Sequence, residues 1–322
     1  MPRPRKITKK SILYVVIPCY NEEEVLEITT KELEKKINLL IQNNIISKDS
    51  KVLYVNDGSK DNTWKLIEKI NRKNKMFCGI KLSRNMGHQN ALIAGLMCAK
   101  EYADITISMD ADLQDDINVI DEMIKEYNNG SQIVYGVRSS RKKDSFFKRK
   151  TAESFYKFMK LMGVEIVYNH ADCRLMSKDA LEGLEKFDEV NLFLRGIVPQ
   201  IGLESSIVYY ERNKRAAGES KYPLKKMIKF AVDGITSFSV VPLRLIASLG
   251  FIMCIFSFFV LLYALIVKIF GKTVSGWTFI IVSIWLVSGI QMLSLGIIGE
   301  YIGKIYKETK KRPRYIIEKK LM

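Results

Sequence analysis

Histidine is nearly absent from this chain, and cysteine is sparse and scattered. His88 and His170 are the two histidines, and the five cysteines (Cys19, Cys78, Cys98, Cys173 and Cys254) never fall in a C-x-x-C spacing. A disulfide framework and a zinc site are thereby excluded, and a reducing compartment is suited. No G-x-G-x-x-G follows the first strand-like run and no G-x-x-x-x-G-K-[ST] occurs anywhere. Dinucleotide and P-loop readings lose their main support. Internal repeats are missing, and the basic start, MPRPRKITKK, leads into a strand-like run with no signal-peptide core, so no cleaved targeting segment is expected.

What is abundant is positive charge. Lys+Arg number 51 against 35 Asp+Glu, a formal charge of +16 over 322 residues. An anionic partner follows: nucleic acid, a membrane surface or a phosphorylated substrate. Hydrophobicity is uneven. No charge interrupts Leu245 to Val267 or Val274 to Gly299, and each run exceeds the roughly 20 residues of a bilayer-crossing helix. The expectation is a two-helix transmembrane hairpin. Lys225, Lys226, Lys229 and Arg244 before it, and Lys304, Lys307, Lys310, Lys311, Arg312 and Arg314 after it, place the large domain and the C-terminus in the cytoplasm. Between them, YPLKKMIKFAVDGITSFSVV carries Leu224, Met227, Ile228, Ala231 and Ile235 on one stripe, which predicts an amphipathic interface helix. Gly296, Gly299 and Gly303 would allow close packing between protomers of a homo-oligomer. With Lys and Arg gathered around the spans, no nucleic-acid partner is expected.

The first half alternates strands and helices. ILYVVI, KVLYVND, GIKLS, DITISMD and QIVYGVR read as strands, with helices over Glu23 to Gln42, Thr63 to Lys73 (capped by Asn62 or Asp61) and His88 to Tyr102. This predicts an α/β fold with a mostly parallel sheet. Ligands of such sheets sit beyond the carboxyl ends of the strands. Those ends carry PCYNEE, NDGS, SRNMGHQ and DADLQDD. The last is an acid patch in a basic chain. If the strand continues, Asp110, Asp112 and Gln114 share a face and make a hard oxygen site for Mg²⁺ or Mn²⁺ held together with substrate phosphates. A solvated turn with a helix cap at Asp115 or Asp116 is the equal alternative. Asp57 and Gly58 of NDGS are good turn chemistry in any protein.

Taken in order, VVIPCYNEEE, VNDGSKDNT, RNMGHQNALIAGL, MDADLQDD, ADCRLMS and RAAGESKY resemble family 2 glycosyltransferases, most closely the polyprenyl-phosphate hexosyltransferases. The resemblance implies a GT-A-type nucleotide-sugar-binding domain over 1–220, a juxtamembrane amphipathic region over 221–243, two transmembrane helices over 244–300 and a basic cytoplasmic tail over 301–322. It implies inverting transfer of a hexose from a UDP-glucose or GDP-mannose type donor to a polyprenyl phosphate at the membrane. Pro18, Tyr20, Glu22 and Asp57 would hold the nucleoside. Asp110, Asp112 and Gln114 would serve the metal and the donor diphosphate, Asp112 and Gln114 foremost as ligands. Arg215, with Ser220 and Lys221, would clamp the diphosphate. Arg138, Arg149, Ser154 and Arg174 would receive the acceptor phosphate, with Asp172 named as a base.

A phosphate monoester is largely dianionic at pH 7, so Asp172 reads better as positioning Arg174 or the acceptor. His88 and His170 read as supporting residues and not as bases. A processive polysaccharide synthase would need a Q-x-x-R-W motif, and no Arg-Trp pair occurs. A non-catalytic nucleotide-sugar binder would be expected to lack Asp112 or Arg215, and both are present.

Overall fold

The computed structural model describes residues 10–138, 162, 170–190, 192–211, 235–236, 239–269 and 276–322. They divide into two compact units, one of residues up to Pro223 together with Arg312–Met322, the other chiefly Leu224–Lys311.

The first unit is built on strands β1 (Leu13–Cys19), β2 (Lys51–Asn56), β3 (Phe77–Leu82), β4 (Ile105–Ser108), β5 (Ile133–Arg138), β6 (His170–Ser177), β7 (Ser205–Tyr210) and β8 (Ile317–Leu321). They form one sheet ordered β7-β5-β6-β4-β1-β2-β3-β8. Strands β1 to β4 pair in parallel, β6 runs antiparallel between β4 and β5, and β8 runs antiparallel along β3. The sheet is mostly parallel because the connections within the first half are helices: α1 (Leu26–Gln42), α2 (Thr63–Lys73), α3 (His88–Lys100) and α4 (Val119–Asn128). Two shorter helices follow, α5 (Lys178–Glu185) and α6 (Leu194–Gln200).

Helices cover both faces, which is why β1 can be apolar throughout. Leu13, Val15 and Ile17 join a core with Leu33 and Ile37 of α1, Ile67 of α2 and Ile120 of α4. Val16 faces the other way, toward α3, where a Cβ on Gly95 would come within 2.4 Å of the Val16 Cγ1 and 2.6 Å of the Val55 Cγ2. Each fully buried Leu, Val or Ile contributes about 1.5–3 kcal/mol. Cys19, Cys78, Cys98 and Cys173 are free thiols within this packing.

Two local expectations shift. Helix α1 begins at Leu26 and not at Glu23, since the Glu22 carbonyl accepts from both Val25 and Leu26 N–H in a preceding turn. Strand β4 stops at Ser108, before Asp110, and the chain then turns, with Leu113 at φ +53°. Strand alternation therefore does not set the faces of Asp110, Asp112 and Gln114. At α2 Asn62 holds the cap position without a capping side-chain hydrogen bond, while the Asp61 Oδ1 accepts from the Thr63 N–H at 3.0 Å.

The second unit holds α7 (Val241–Ile269) and α8 (Trp277–Thr309), over the two apolar runs. Among the described residues no helix is long and apolar enough to cross a membrane. The expected two-helix transmembrane hairpin and the integral-membrane, two-span localisation are corrected accordingly. Arg244 stands in the first turn of α7, and α8 runs on through Glu300, Lys304, Lys307 and Glu308. Of the amphipathic region expected over 221–243, residues 221–234 and 237–238 lie outside the described residues.

Candidate active site

The carboxyl ends of β1, β2 and β4 form one edge of the sheet, and the amino end of antiparallel β6 reaches the same edge, Arg174 standing opposite Ser108. The loops along this edge are tied together. After β1, Asn21 adopts φ +54°, its N–H donates to the Ser59 Oγ at 3.0 Å, and its Oδ1 accepts from the Lys60 N–H at 2.9 Å. The Glu22 N–H donates to the Thr63 Oγ1 at 2.9 Å. Pro18 and Glu22 are half-buried here, and Tyr20 is exposed.

Asp57, buried after β2, accepts from the Met86 N–H at 2.7 Å and the Gly87 N–H at 3.0 Å. Burial nonetheless pushes its carboxyl above the ordinary value, against those two amides and His88. The next residue, Gly58, sits at φ +64°, and a Cβ there would come within 2.4 Å of the Asn85 N. Glycine is what lets the β2 turn press against the loop leading into α3.

That loop delivers His88. Its Nε2 lies 4.0 Å from the Asp110 Oδ1 and 3.8 Å from the Asp172 Oδ2, between a carboxylate of the turn after β4 and one of β6. Burial pushes the Asp110 carboxyl up to about 6, opposed by His88 and reinforced by Asp172, Asp115 and Asp112, although 36% of its side-chain surface still meets solvent. Asp112 and Gln114 reach each other: the Gln114 Nε2 donates to the Asp112 Oδ2 at 2.7 Å. Buried Asp115 instead accepts from the Tyr210 Oη at 2.5 Å and belongs to the framework. Thr29 of α1 fixes the turn by donating to the Ala111 carbonyl at 2.7 Å.

Among the described residues no group of three His, Cys, Asp or Glu gathers as a self-sufficient metal cage. The donor set still fits a hard divalent cation. Asp110 and Asp112 offer carboxylate oxygens, Gln114 offers an amide oxygen beside Asp112, and a dication would offset both the burial of the Asp110 charge and the acidic neighbours that reinforce its raised carboxyl. With so few protein ligands, its other positions fall to water or to substrate phosphates.

Asp172 is held from the opposite side. The Arg195 Nε reaches its Oδ1 and the Arg195 Nη2 its Oδ2, both at 3.2 Å, a two-pronged ion pair. Burial alone would raise this carboxyl, but Arg195, His88 and Arg174 hold it well below the usual carboxylate range. Arg174 is buried, with its guanidinium 5.6 Å from the Tyr135 ring centre. The partner of Asp172 is thus Arg195, which sequence reasoning did not single out. The available signal was a lone cation within the apolar stretch LFLRGIVP. The register puts Arg138, the last residue of β5, at the same edge, since Val137 stands opposite His170. Arg149, Ser154, Arg215, Ser220 and Lys221 lie outside the described residues.

Carboxylates after β2, after β4 and on β6 thus stand along one edge of a mostly parallel α/β sheet. Residues 14–184 match Glycosyl transferase family 2. The chain belongs to that family and is a glycosyltransferase. It is 52% identical to "Uncharacterized glycosyltransferase YkoT" of Bacillus subtilis, over 95% of this chain and 91% of that protein. It is 39% identical to "Prophage bactoprenol glucosyl transferase homolog" of Escherichia coli (95% and 98%), and 38% identical to "Bactoprenol glucosyl transferase" of Shigella phage SfX (94% and 98%). A solved mannosyltransferase from Pyrobaculum calidifontis, with GDP-Man and Mn²⁺, aligns at 12% identity and a TM-score of 0.44 over 97% of this chain and 90% of its own.

Proposed function

We propose that the protein moves a hexose from a nucleotide-diphosphate sugar to a polyprenyl phosphate, with inversion at the sugar carbon. The observation that carries the proposal is the 38–39% identity, along 94–95% of the chain, to proteins named for glucosyl transfer to bactoprenol. The acidic edge agrees with it through a divalent cation, which these carboxylates would hold and which would supply the positive charge a leaving nucleoside diphosphate needs where it departs.

In this reading Pro18, Tyr20, Glu22 and Asp57 line the nucleoside end, and Asp110, Asp112 and Gln114 hold Mg²⁺ or Mn²⁺ against the diphosphate. The bound cation would offset charge on the leaving phosphates. An acceptor phosphate oxygen forms the new bond to the sugar carbon as the bond to the diphosphate oxygen breaks. That phosphate is already largely dianionic at neutral pH, so no carboxylate need take a proton from it. Asp172, engaged on both oxygens by Arg195, orients. Arg138, Arg149, Ser154 and Arg174 take the acceptor phosphate, and Arg215, Ser220 and Lys221 close on the donor diphosphate. The acceptor is met at a membrane surface, toward which exposed apolar residues such as Phe251, Phe256 and Met292 fit.

The test supplies the purified chain with Mg²⁺ or Mn²⁺, polyprenyl phosphate and a panel of labelled UDP- and GDP-sugars. A labelled lipid extracted into chloroform is the expected product and identifies the donor. Release of labelled free sugar with no lipid product would refute the acceptor.

A further inference from the structure

Around Asp172 three elements meet. Strand β6 supplies the carboxylate. Helix α6 supplies Arg195, whose neighbours Phe193, Leu194, Ile197 and Val198 are all buried, so its half-exposed side chain is the one this stretch turns to the site. Helix α3 supplies the alignment: the Gln89 Oε1 accepts from the Leu194 N–H at 2.8 Å, and Gln89 adjoins His88, which stands between Asp110 and Asp172. The residue that orients α6 and the residue that touches both carboxylates are therefore consecutive.

We infer that Arg195 is a positioning residue of the transfer reaction, acting through Asp172 on the acceptor side of the site. A guanidinium fork grips both carboxylate oxygens at once and fixes the plane of the carboxylate, which a lysine ammonium cannot do. The fork also answers an electrostatic difficulty. A dianionic phosphate approaching Asp110, Asp112 and Asp172 meets like charge, and the Arg195 cation cancels that of Asp172 where the approach occurs. The inference rests on the proposed phosphate acceptor. It adds that Asp172 is held as a neutralised anchor by a residue from another helix.

The experiment is a double-mutant cycle on the full chain with Asp172→Asn, Arg195→Met, the pair together, and Arg195→Lys. It reads kcat and the KM for each substrate, with melting temperatures as the folding check. Arg195→Met is expected to lower kcat about 10–100-fold, the effect typical of groups that orient an active-site ligand. The nucleotide-sugar KM stays unchanged and the acceptor KM rises. The double variant loses no more than the worse single, because both changes break one unit. Arg195→Lys folds normally yet recovers little. Losses that multiply in the double variant overturn the inference, as does wild-type kcat in Arg195→Lys, and the latter decides should Arg195→Met fail to fold. A wild-type chain that makes no glycolipid overturns the acceptor reading and this role together. Glycolipid formation with multiplying losses removes the role of Arg195 alone.

Discussion

Asp110 shows how one residue can be set against the stability of its own fold. Its carboxyl rises from an ordinary 3.8 to about 6. An unfolded chain therefore releases this proton earlier than the folded one as pH rises. Stability drains away between those two values and stays lower above them. Asp110→Asn should accordingly raise the melting temperature of metal-free protein at pH 7 and leave it unaltered near pH 3, as thermal unfolding at the two pH values will show. The same variant should lose the stabilisation that added Mn²⁺ gives the wild type, since ligand binding to the folded state raises its stability. A second residue-scale expectation concerns Asp112. Its replacement by Asn should cut glycolipid synthesis at least about 100-fold, within the range for losing an electrostatic stabiliser of a leaving group, measured as initial rate at saturating substrates. These acids were legible in the sequence because they follow an apolar run at a strand end. Arg195 was not, because a single cation in a short apolar helix carries no pattern, and its role appears only when β6 is brought beside α6.

At the scale of elements, the parallel half of the sheet could be read because burial on both faces leaves continuous apolar strands. Helix α3 shows how closely that sandwich is packed. Gly95→Ala would improve intrinsic helix propensity, but its methyl would collide with the stiff side chains of Val16 and Val55. The expected outcome is a loss of about 1–3 kcal/mol in chemical denaturation, reversing the usual gain from such a change. Strand β6 escaped notice for a physical reason. HADCRLMS places Asp172 and Arg174 on a strand, alternating with the core residues Cys173 and Leu175, so the two charges mask a short apolar face. Strand β8, IEKKL, is exposed at its three central residues, and read simply as a basic tail.

For the whole molecule, β8 means that the first unit is completed from the far end of the chain. It pairs along β3, Lys81 meets Glu318 at 3.0 Å, and the Arg314 Nη2 donates to the Phe187 carbonyl. Removing residues 312–322 should bare the β3 edge. A bare edge is a template for pairing with other chains. The truncated protein is expected to melt lower and to form larger species in light scattering, with Lys81→Ala in the intact chain as the milder comparison.

Lys81 and Glu318 are 237 positions apart, so during synthesis β3 leaves the ribosome long before the strand that shields it exists. At about 5–20 residues added per second, the nascent sheet waits on the order of 10–50 s with one flank unprotected. Slower decoding over α7 and α8 would lengthen that interval, and the yield of intact protein should then depend on whether a chaperone occupies the flank in the meantime.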